Sequence, residues 1–464
     1  MPRTPARRLT VFVLIVLATV AAAFALPAGS VSAHNTLISS DPSDGAILEA
    51  APVQITWMFD QPVPLDTMTV TLIDGTGARS DLAGSAHGAS GDTEVITPLP
   101  ALASGAVSVR WRLVGPDGHP ITGRVDFTVE AAVAVTSPAT DTTQPAVSAS
   151  APPTTSPAAD PPPSLDGGDD TFSTPSFVRW LLRYGSYLAI MAAVGILLTT
   201  AYVWTGADTH PLLRRLLSRS LLATAALAFV QLLVVASDIA GRAPWSSFGS
   251  VDPAMTTDAG MALAIRIVLA LVMWLLLFQF DLVHPDVYWT AVTLPGLGLL
   301  ATWAFAGHSA SMRWPAIGVA TDVAHHAAAA AWIAGLAIVG WIVIPTCQSD
   351  VVVPTVRRFS RLAAVSVAVL VVTGIVQTVR LVGNPMDLFE VDHGRYLAVK
   401  VVLLVVMVAV ANINRRRIDQ RLDDTDSIDR HVAPLRQAIL AEFAIGLAII
   451  AITAAMVVSP PLTA

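Results

Sequence analysis

Hydrophobic and polar positions divide this chain into successive regimes. After an apolar N-terminal run, "VFVLIVLATVAAAFAL", short stretches within residues 34–130 alternate with period two: "VQITWMF" (53–59), "MTVTLI" (68–73), "AVSVRWRLV" (106–114) and "GRVDFTV" (123–129). Alternation broken by turn formers such as "DPSDG" and "DGTG" predicts an antiparallel β-sandwich of about 100 residues. Its expected core is Ile55, Trp57, Phe59, Val70, Leu72, Val109, Trp111, Val125 and Phe127. Residues 131–170 lose any period and are rich in Pro, Ser, Thr and Ala, so they cannot bury enough surface to order themselves and read as an extended tether. From 171 to 464 the pattern becomes long apolar runs near 177–204, 214–238, 259–281, 287–306, 320–344, 360–381, 395–412 and 435–458. Each approaches the roughly 20 residues that span a bilayer. The expected architecture is a multi-domain membrane protein: an N-terminal all-β sandwich, then an all-α bundle of eight transmembrane helices.

Composition agrees with that division, since 54% of the 464 residues are hydrophobic and only 13% charged. The net charge of −7, with no basic stripe interleaved with aromatics, argues against a nucleic-acid partner. The single cysteine, Cys347, excludes an internal disulfide or a CxxC metal site, so any metal would be held by His, Met or carboxylates. Charge also orients the chain. Arg3, Arg7 and Arg8 precede the first apolar run and "VSA" (31–33) follows it, the layout of a secretory signal over residues 1–33. Cleavage after Ala33 would make His34 the first residue, with an α-amine of pKa about 8 beside an imidazole of about 6.5. Further on, Arg214, Arg215 and Arg219, then Arg357, Arg358 and Arg361, then "NRRRIDQR" (414–421) fall in alternate expected loops. By the positive-inside rule those loops are cytoplasmic, which leaves the sandwich and the C-terminus outside.

The chemistry of the sandwich is concentrated in "GPDGHPITG" (115–123), between its two clearest strands. Asp117 and His119 are two residues apart on a turn, a pattern that plain turn chemistry also produces. Joined to a free His34 the set becomes an amine, two imidazoles and a carboxylate, nitrogen-rich ligation that suits Cu(II). "AHNTLISSDPSDGAILEAAPVQITWMFDQPV" with "VRWRLVGPDGHPITGRVDFTV" resembles the CopC family of periplasmic copper-binding β-sandwiches. The resemblance implies an Ig-like Greek-key sandwich over residues 34–130, with His34, Asp117 and His119 on the Cu(II) ligand positions. Gly115-Pro116 departs from the usual small or polar pair. Only Met58 and Met68 are available for a methionine-rich Cu(I) site, so none is expected, and His87 reads as a solvated loop residue.

Polar residues inside membrane spans are costly, which directs attention to Gln231, Asp238, Arg266, Gln377, Arg380, Lys400 and Glu442. Gln377 and Arg380 read first as snorkelling or structural groups, whereas Arg266 and Lys400 sit farther in and could stabilise acidic partners. "AGHSASM" (306–312) ends the fourth run and "TDVAHHAAAAAWIAGL" (321–336) opens the fifth. His308, Asp322 and His325, with His326 one step round the helix, are therefore expected to converge at the extracytoplasmic face, with Met312 as a further thioether. Met255, Met261 and His393 are weaker candidates, and His210 and His284 read as cytoplasmic loop residues. "AGHSA", the Asp322/His325 pair ahead of Trp332, "RRFSRLAAVSV" and "GRYLAVKVVLL" resemble the CopD copper-resistance membrane proteins. In that family Arg266, His308, Asp322, His325 and Lys400 match residues of the same kind, Ala334 replaces a usual glycine, and His326 stands where an apolar residue is usual.

The two resemblances together imply a copper-binding protein of the plasma membrane rather than an enzyme. The sandwich would capture extracytoplasmic Cu(II) and pass it to His308, Asp322 and His325, with import the preferred direction and Cu(I) a candidate state within the bilayer. Copper and the lipid bilayer are the expected partners, and a chaperone or reductase is not identifiable from the residues. Two other readings stay open: a sequestering tolerance factor without transport, and a haem-binding redox protein, which would need paired histidines at matched depth.

Overall fold

The computed structural model describes residues 36–114, 120–130, 174–204, 210–279, 285–306, 314–381, 392–421 and 428–458. The expected signal segment 1–33, the tether 131–170, and His34, Asp117, His119, His284, His308 and Met312 lie outside the described residues. The chain divides into two compact units, one β and one helical.

The β unit holds nine strands: β1 (Leu37–Asp41), β2 (Ala46–Leu48), β3 (Gln54–Phe59), β4 (Met68–Ile73), β5 (Arg79–Leu82), β6 (Ala86–Gly88), β7 (Gly91–Pro98), β8 (Gly105–Val114) and β9 (Pro120–Val129). They form a four-stranded sheet, β1-β3-β7-β6, and a five-stranded sheet, β2-β9-β8-β4-β5. All nine expected core residues are buried between them. Alternation explains this: with side chains at period two, Val109, Trp111 and Leu113 turn to the core of β8. Trp111 meets Phe59 edge-to-face at 5.1 Å, and Trp57 donates through Nε1 to the Thr97 hydroxyl at 3.3 Å. Gly123 lies opposite Trp111 in the β8–β9 ladder, where any Cβ would strike the indole. One expectation changes: β2 pairs with β9 in parallel, so the sandwich is not wholly antiparallel. The short strands β5 and β6 carry too few apolar positions for alternation to announce them.

His87, expected in a solvated loop, is instead on β6. Its Nε2 is 2.9 Å from the Val63 carbonyl and its Nδ1 3.4 Å from Asp92. Both ring nitrogens therefore have structural partners, which staple the loop before β4 to the β6–β7 hairpin.

The helical unit has nine helices among the described residues: α1 (Ser176–Tyr202), α2 (Pro211–Ala240), α3 (Val251–Thr256), α4 (Asp258–Leu276), α5 (Pro285–Phe305), α6 (Pro315–Ile338), α7 (Ser349–Leu381), α8 (Asp392–Arg421) and α9 (Ile428–Val458). A π turn, Val339–Val343, carries α6 on to Thr346. Local chemistry sets several ends. Proline occupies the first turn of α2 and α6, Gly241 at φ 61° closes α2, and the Thr257 hydroxyl caps α4 by accepting from Gly260 N at 3.0 Å. Helices α1 and α6 approach closely at Gly195, where a Cβ would run into Ala330 O and Ala334 Cβ. Ala334 is thus accommodated by the absence of a side chain across from it.

Among the described residues, six helices are long and apolar enough to cross a membrane: α1, α2, α4, α6 with its extension, α7 and α9. The other two expected spans are present as α5 and α8, whose apolar stretches among the described residues are Ala291–Phe305 and Tyr396–Ala411. The arginine clusters also need correcting. Arg357, Arg358 and Arg361 lie within α7, and residues 414–421 end α8, so these are helix ends rather than loops.

Candidate functional site

In the β unit, the described residues that flank the expected Cu(II) ligands all belong to one end of the sandwich. Thr36 N donates to Asp60 Oδ1 at 2.6 Å and Thr36 O accepts from Asp60 N at 3.0 Å, which fixes the chain two residues after His34. Val114 pairs with Pro120, so the five positions holding Asp117 and His119 join β8 to β9 there. Thr67 links this edge to the loop after β3, donating its hydroxyl to Val114 O at 2.8 Å.

In the helical unit, helices α6, α7 and α8 bring a polar cluster together. Asp322 and His325 are at i and i+3, on one face, and both reach α7. Gln377 Nε2 donates to Asp322 Oδ1 at 3.0 Å, and His325 Nδ1 is 2.8 Å from the Thr373 hydroxyl. Thr373 directs its hydroxyl toward Val369 O at 2.6 Å, an arrangement that suits acceptance from His325 Nδ1–H, the tautomer that carries its lone pair on Nε2. His326 behaves alike: Nδ1 is 2.8 Å from the Asp322 carbonyl, which can only accept, and 3.6 Å from Asp322 Oδ1. Lys400 of α8 and Arg380 of α7 both act electrostatically on Asp322.

The two histidines do not face one point. Their ring centroids are 6.1 Å apart at 74°; His325 turns to α7, and His326 stacks on Tyr187 of α1 at 5.9 Å. Among the described residues no three His, Cys, Asp or Glu side chains are grouped to hold a metal. A set including His308 would need that residue, which is outside the described positions. Arg266 lies apart from the cluster: it is 1% exposed, hydrogen-bonds Thr302 and packs its guanidinium 3.8 Å from the Trp303 ring centroid.

Sequence reasoning missed Thr373 and read Gln377 as a snorkelling group. Thr373 and Gln377 are four apart, hence on one face of α7, but that spacing alone does not single them out from other polar residues of a helix face. Asp238, expected only as a costly polar group, forms a bidentate pair with Arg179 of α1 at 2.6 Å for both bonds. Its partner lies 59 positions away, and no local pattern links the two.

The polar side chains share a depth. Arg183, Asp322, Arg266 and Lys400 are the eighth or ninth residues of α1, α6, α4 and α8, and Trp303 and Gln377 lie near the ends of α5 and α7. At 1.5 Å per residue these helix-start positions are about 10–12 Å from the ends of their helices. The arginine clusters of α2, α7 and α8 belong to the opposite ends of the bundle.

Comparison with known proteins matches residues 37–130 to the CopC domain, 174–314 to the N-terminal domain of copper resistance protein D-like proteins, and 353–456 to copper resistance protein D. The chain is 26% identical to the copper transport protein CutJ of Bacillus subtilis (strain 168) over 449 residues, covering 92% of this chain and 74% of that one. It is 30% identical to copper resistance protein D of Pseudomonas syringae pv. tomato, over 50% of this chain and 80% of that protein. Copper resistance protein C of the same organism is 35% identical, over 24% of this chain and 93% of that protein.

Proposed function

The chain belongs to the copper resistance protein family, with a CopC domain ahead of CopD domains in one polypeptide, and from that premise we propose that it captures extracytoplasmic copper and conducts it into the membrane. In this reading the sandwich binds Cu(II) through the His34 amine and imidazole, Asp117 and His119. Support comes from Thr36 and the Val114–Pro120 pair, the described residues that are nearest in the chain to the three ligands and lie at one end of the fold. The ion then passes to His325 and Asp322, with His308 as a third ligand, and continues inward.

The observation that carries the membrane step is the contact of His325 Nδ1 with the Thr373 hydroxyl. A hydroxyl directed toward a helix carbonyl suits acceptance from Nδ1–H and favours a lone pair on Nε2, which is how a metal-binding imidazole is oriented. Asp322 supplies the negative charge, fixed by Gln377 and balanced by Lys400 and Arg380. The name of the B. subtilis relative, a copper transport protein, supports transport over sequestration. The arginine clusters at the far ends of the bundle support an extracytoplasmic placement of the polar layer.

The test is cellular copper content. A deletion strain grown with limiting copper should hold less copper than its parent, and the intact chain, but not His34→Ala or His325→Ala, should restore it. Unchanged copper at limitation would overturn import, and excess copper at high supply would favour the sequestering reading instead.

A further inference from the structure

The buried guanidinium of Arg266 is left unexplained by copper ligation, because an arginine offers donors only. It sits inside the helical unit at 1% exposure. Its Nε donates to the Thr302 hydroxyl at 2.9 Å, and that hydroxyl donates in turn to Leu299 O at 2.6 Å. The cation lies 3.8 Å from the Trp303 ring centroid, and Arg183 approaches the same ring at 5.0 Å. Two cations on one indole repel each other, and the ring quadrupole offsets only part of that cost. Among the described residues, Nη1 and Nη2 of Arg266 and Nε of Arg183 have no hydrogen-bond partner. The ionisable groups that act on Arg266 are Arg183 and Tyr187, neither a carboxylate. Asp322 and Asp238 are engaged elsewhere, Asp322 by Gln377 and His326 and Asp238 by Arg179.

We propose that Arg266, with Arg183, Thr302 and Trp303, forms a binding site for a carboxylate anion. Thr302 fixes the plane of the guanidinium through Nε, which leaves Nη1 and Nη2 as a parallel fork for two carboxylate oxygens. Arg183 supplies a further donor and a second positive charge, and Trp303 walls the site with an apolar face. A carboxylate here satisfies the three orphaned nitrogens and screens one cation from the other. Tyr187 stacks on Trp303 at 4.4 Å and on His326 at 5.9 Å, so two aromatic rings, Trp303 and Tyr187, link Arg266 to the Asp322–His326 cluster. The anion is either a free small carboxylate or one carried on a metal chelate. The site does not depend on copper ligation by His325.

The test uses the full chain in lipid nanodiscs, freed of metal with a chelator that lacks carboxylates. Calorimetric titration with sodium citrate, referenced to sodium chloride at matched ionic strength, should show saturable binding. Arg266→Gln should weaken it at least ten-fold and Arg183→Gln at least three-fold, the half-buried Arg183 giving a readout even where Arg266→Gln fails to assemble. Titration with copper(II) citrate separates the two sources: tighter binding than citrate alone, lost in His325→Ala, assigns a chelate, and equal binding assigns the free carboxylate. Heat reproduced by chloride, absence of saturation in the wild type, or unaltered binding in both variants would overturn the site. Because the first arm contains no metal, its result is independent of whether His325 binds copper.

Discussion

His325 Nδ1 on α6 lies 2.8 Å from the Thr373 hydroxyl on α7, and that hydroxyl also bonds the Val369 carbonyl of its own helix at 2.6 Å. An acceptor placed there favours the tautomer with its lone pair on Nε2. Thr373→Val keeps the shape and removes the acceptor. Loss of such an orienting partner typically costs about 10–100-fold in metal affinity. We expect a loss in that range for copper binding by the helical unit, with Thr373→Ser close to wild type. Copper uptake into proteoliposomes measures it, and equal uptake by Thr373→Val would refute the orienting role.

At the sandwich, the amine of a processed His34 is an expected ligand and Thr36 is anchored to Asp60. Adding one alanine before His34 keeps its imidazole and moves the amine away. Cu(II) affinity should fall by at least about ten-fold, consistent with the loss of about 1.4 kcal/mol or more. Electron paramagnetic resonance should show one fewer nitrogen on the ion. Mass spectrometry of the mature chain checks the cleavage itself.

Asp238 is wholly buried and held by both terminal nitrogens of Arg179. Asp238→Asn leaves the guanidinium without its counter-charge, and breaking a buried pair in this way costs about 3–5 kcal/mol. A lowered melting temperature in nanodiscs should follow. Arg179→Met with Asp238→Leu should recover much of the loss, since neither charge then remains buried.

Gly195→Leu should separate α1 from α6, because even a Cβ there meets Ala330 O and Ala334 Cβ. Overpacking of this kind costs about 1–3 kcal/mol. Gly195→Leu combined with Ala334→Gly should be less damaging than Gly195→Leu alone, as judged by thermal stability.

The turn after β4 offers a pH test away from both sites. Asp74 accepts from Thr76 Oγ1 at 2.6 Å, Thr76 N at 2.9 Å and Ala78 N at 3.0 Å, and these bonds hold its carboxyl below the usual 3.8. A depressed folded value means the stabilisation is present above pH 3.8 and is lost as pH falls through the lower, folded value. Amide exchange at Thr76 and Ala78 should therefore quicken only in that acidic window. In Asp74→Asn the pH step should vanish.

Legibility in the sequence followed the range of the interaction. Alternation located β3, β4, β8 and β9 and every expected core residue, because burial at period two is written locally. β5 and β6 escaped, since "RSDL" and "AHG" take their structure from β4 and β7 rather than from their own pattern. Apolar runs placed the membrane helices but not their ends: α7 and α8 continue through arginines that hydropathy alone assigns to loops. At the site, the Asp322/His325 face was legible from spacing of three. Thr373 was not, because a threonine in a transmembrane helix ordinarily satisfies itself on its own backbone and only its contact with His325 distinguishes it. Arg266 was found as a costly residue, but the aromatic partner that defines its setting lies on another helix.

The depth of the polar layer has an electrical consequence. Asp322 is about 10 Å along α6 from its first residue, roughly a third of a hydrocarbon core about 30 Å thick. A transmembrane potential dropping evenly across that core is divided unequally, about one third on the near side of Asp322 and two thirds beyond it. Moving one elementary charge through 100 mV involves about 2.3 kcal/mol, so a monovalent copper ion leaving toward the far surface traverses about 1.5 kcal/mol of that work after the site, against about 0.8 before it. In the proposed passage, the voltage across the membrane would therefore act more strongly on release from this layer than on entry to it.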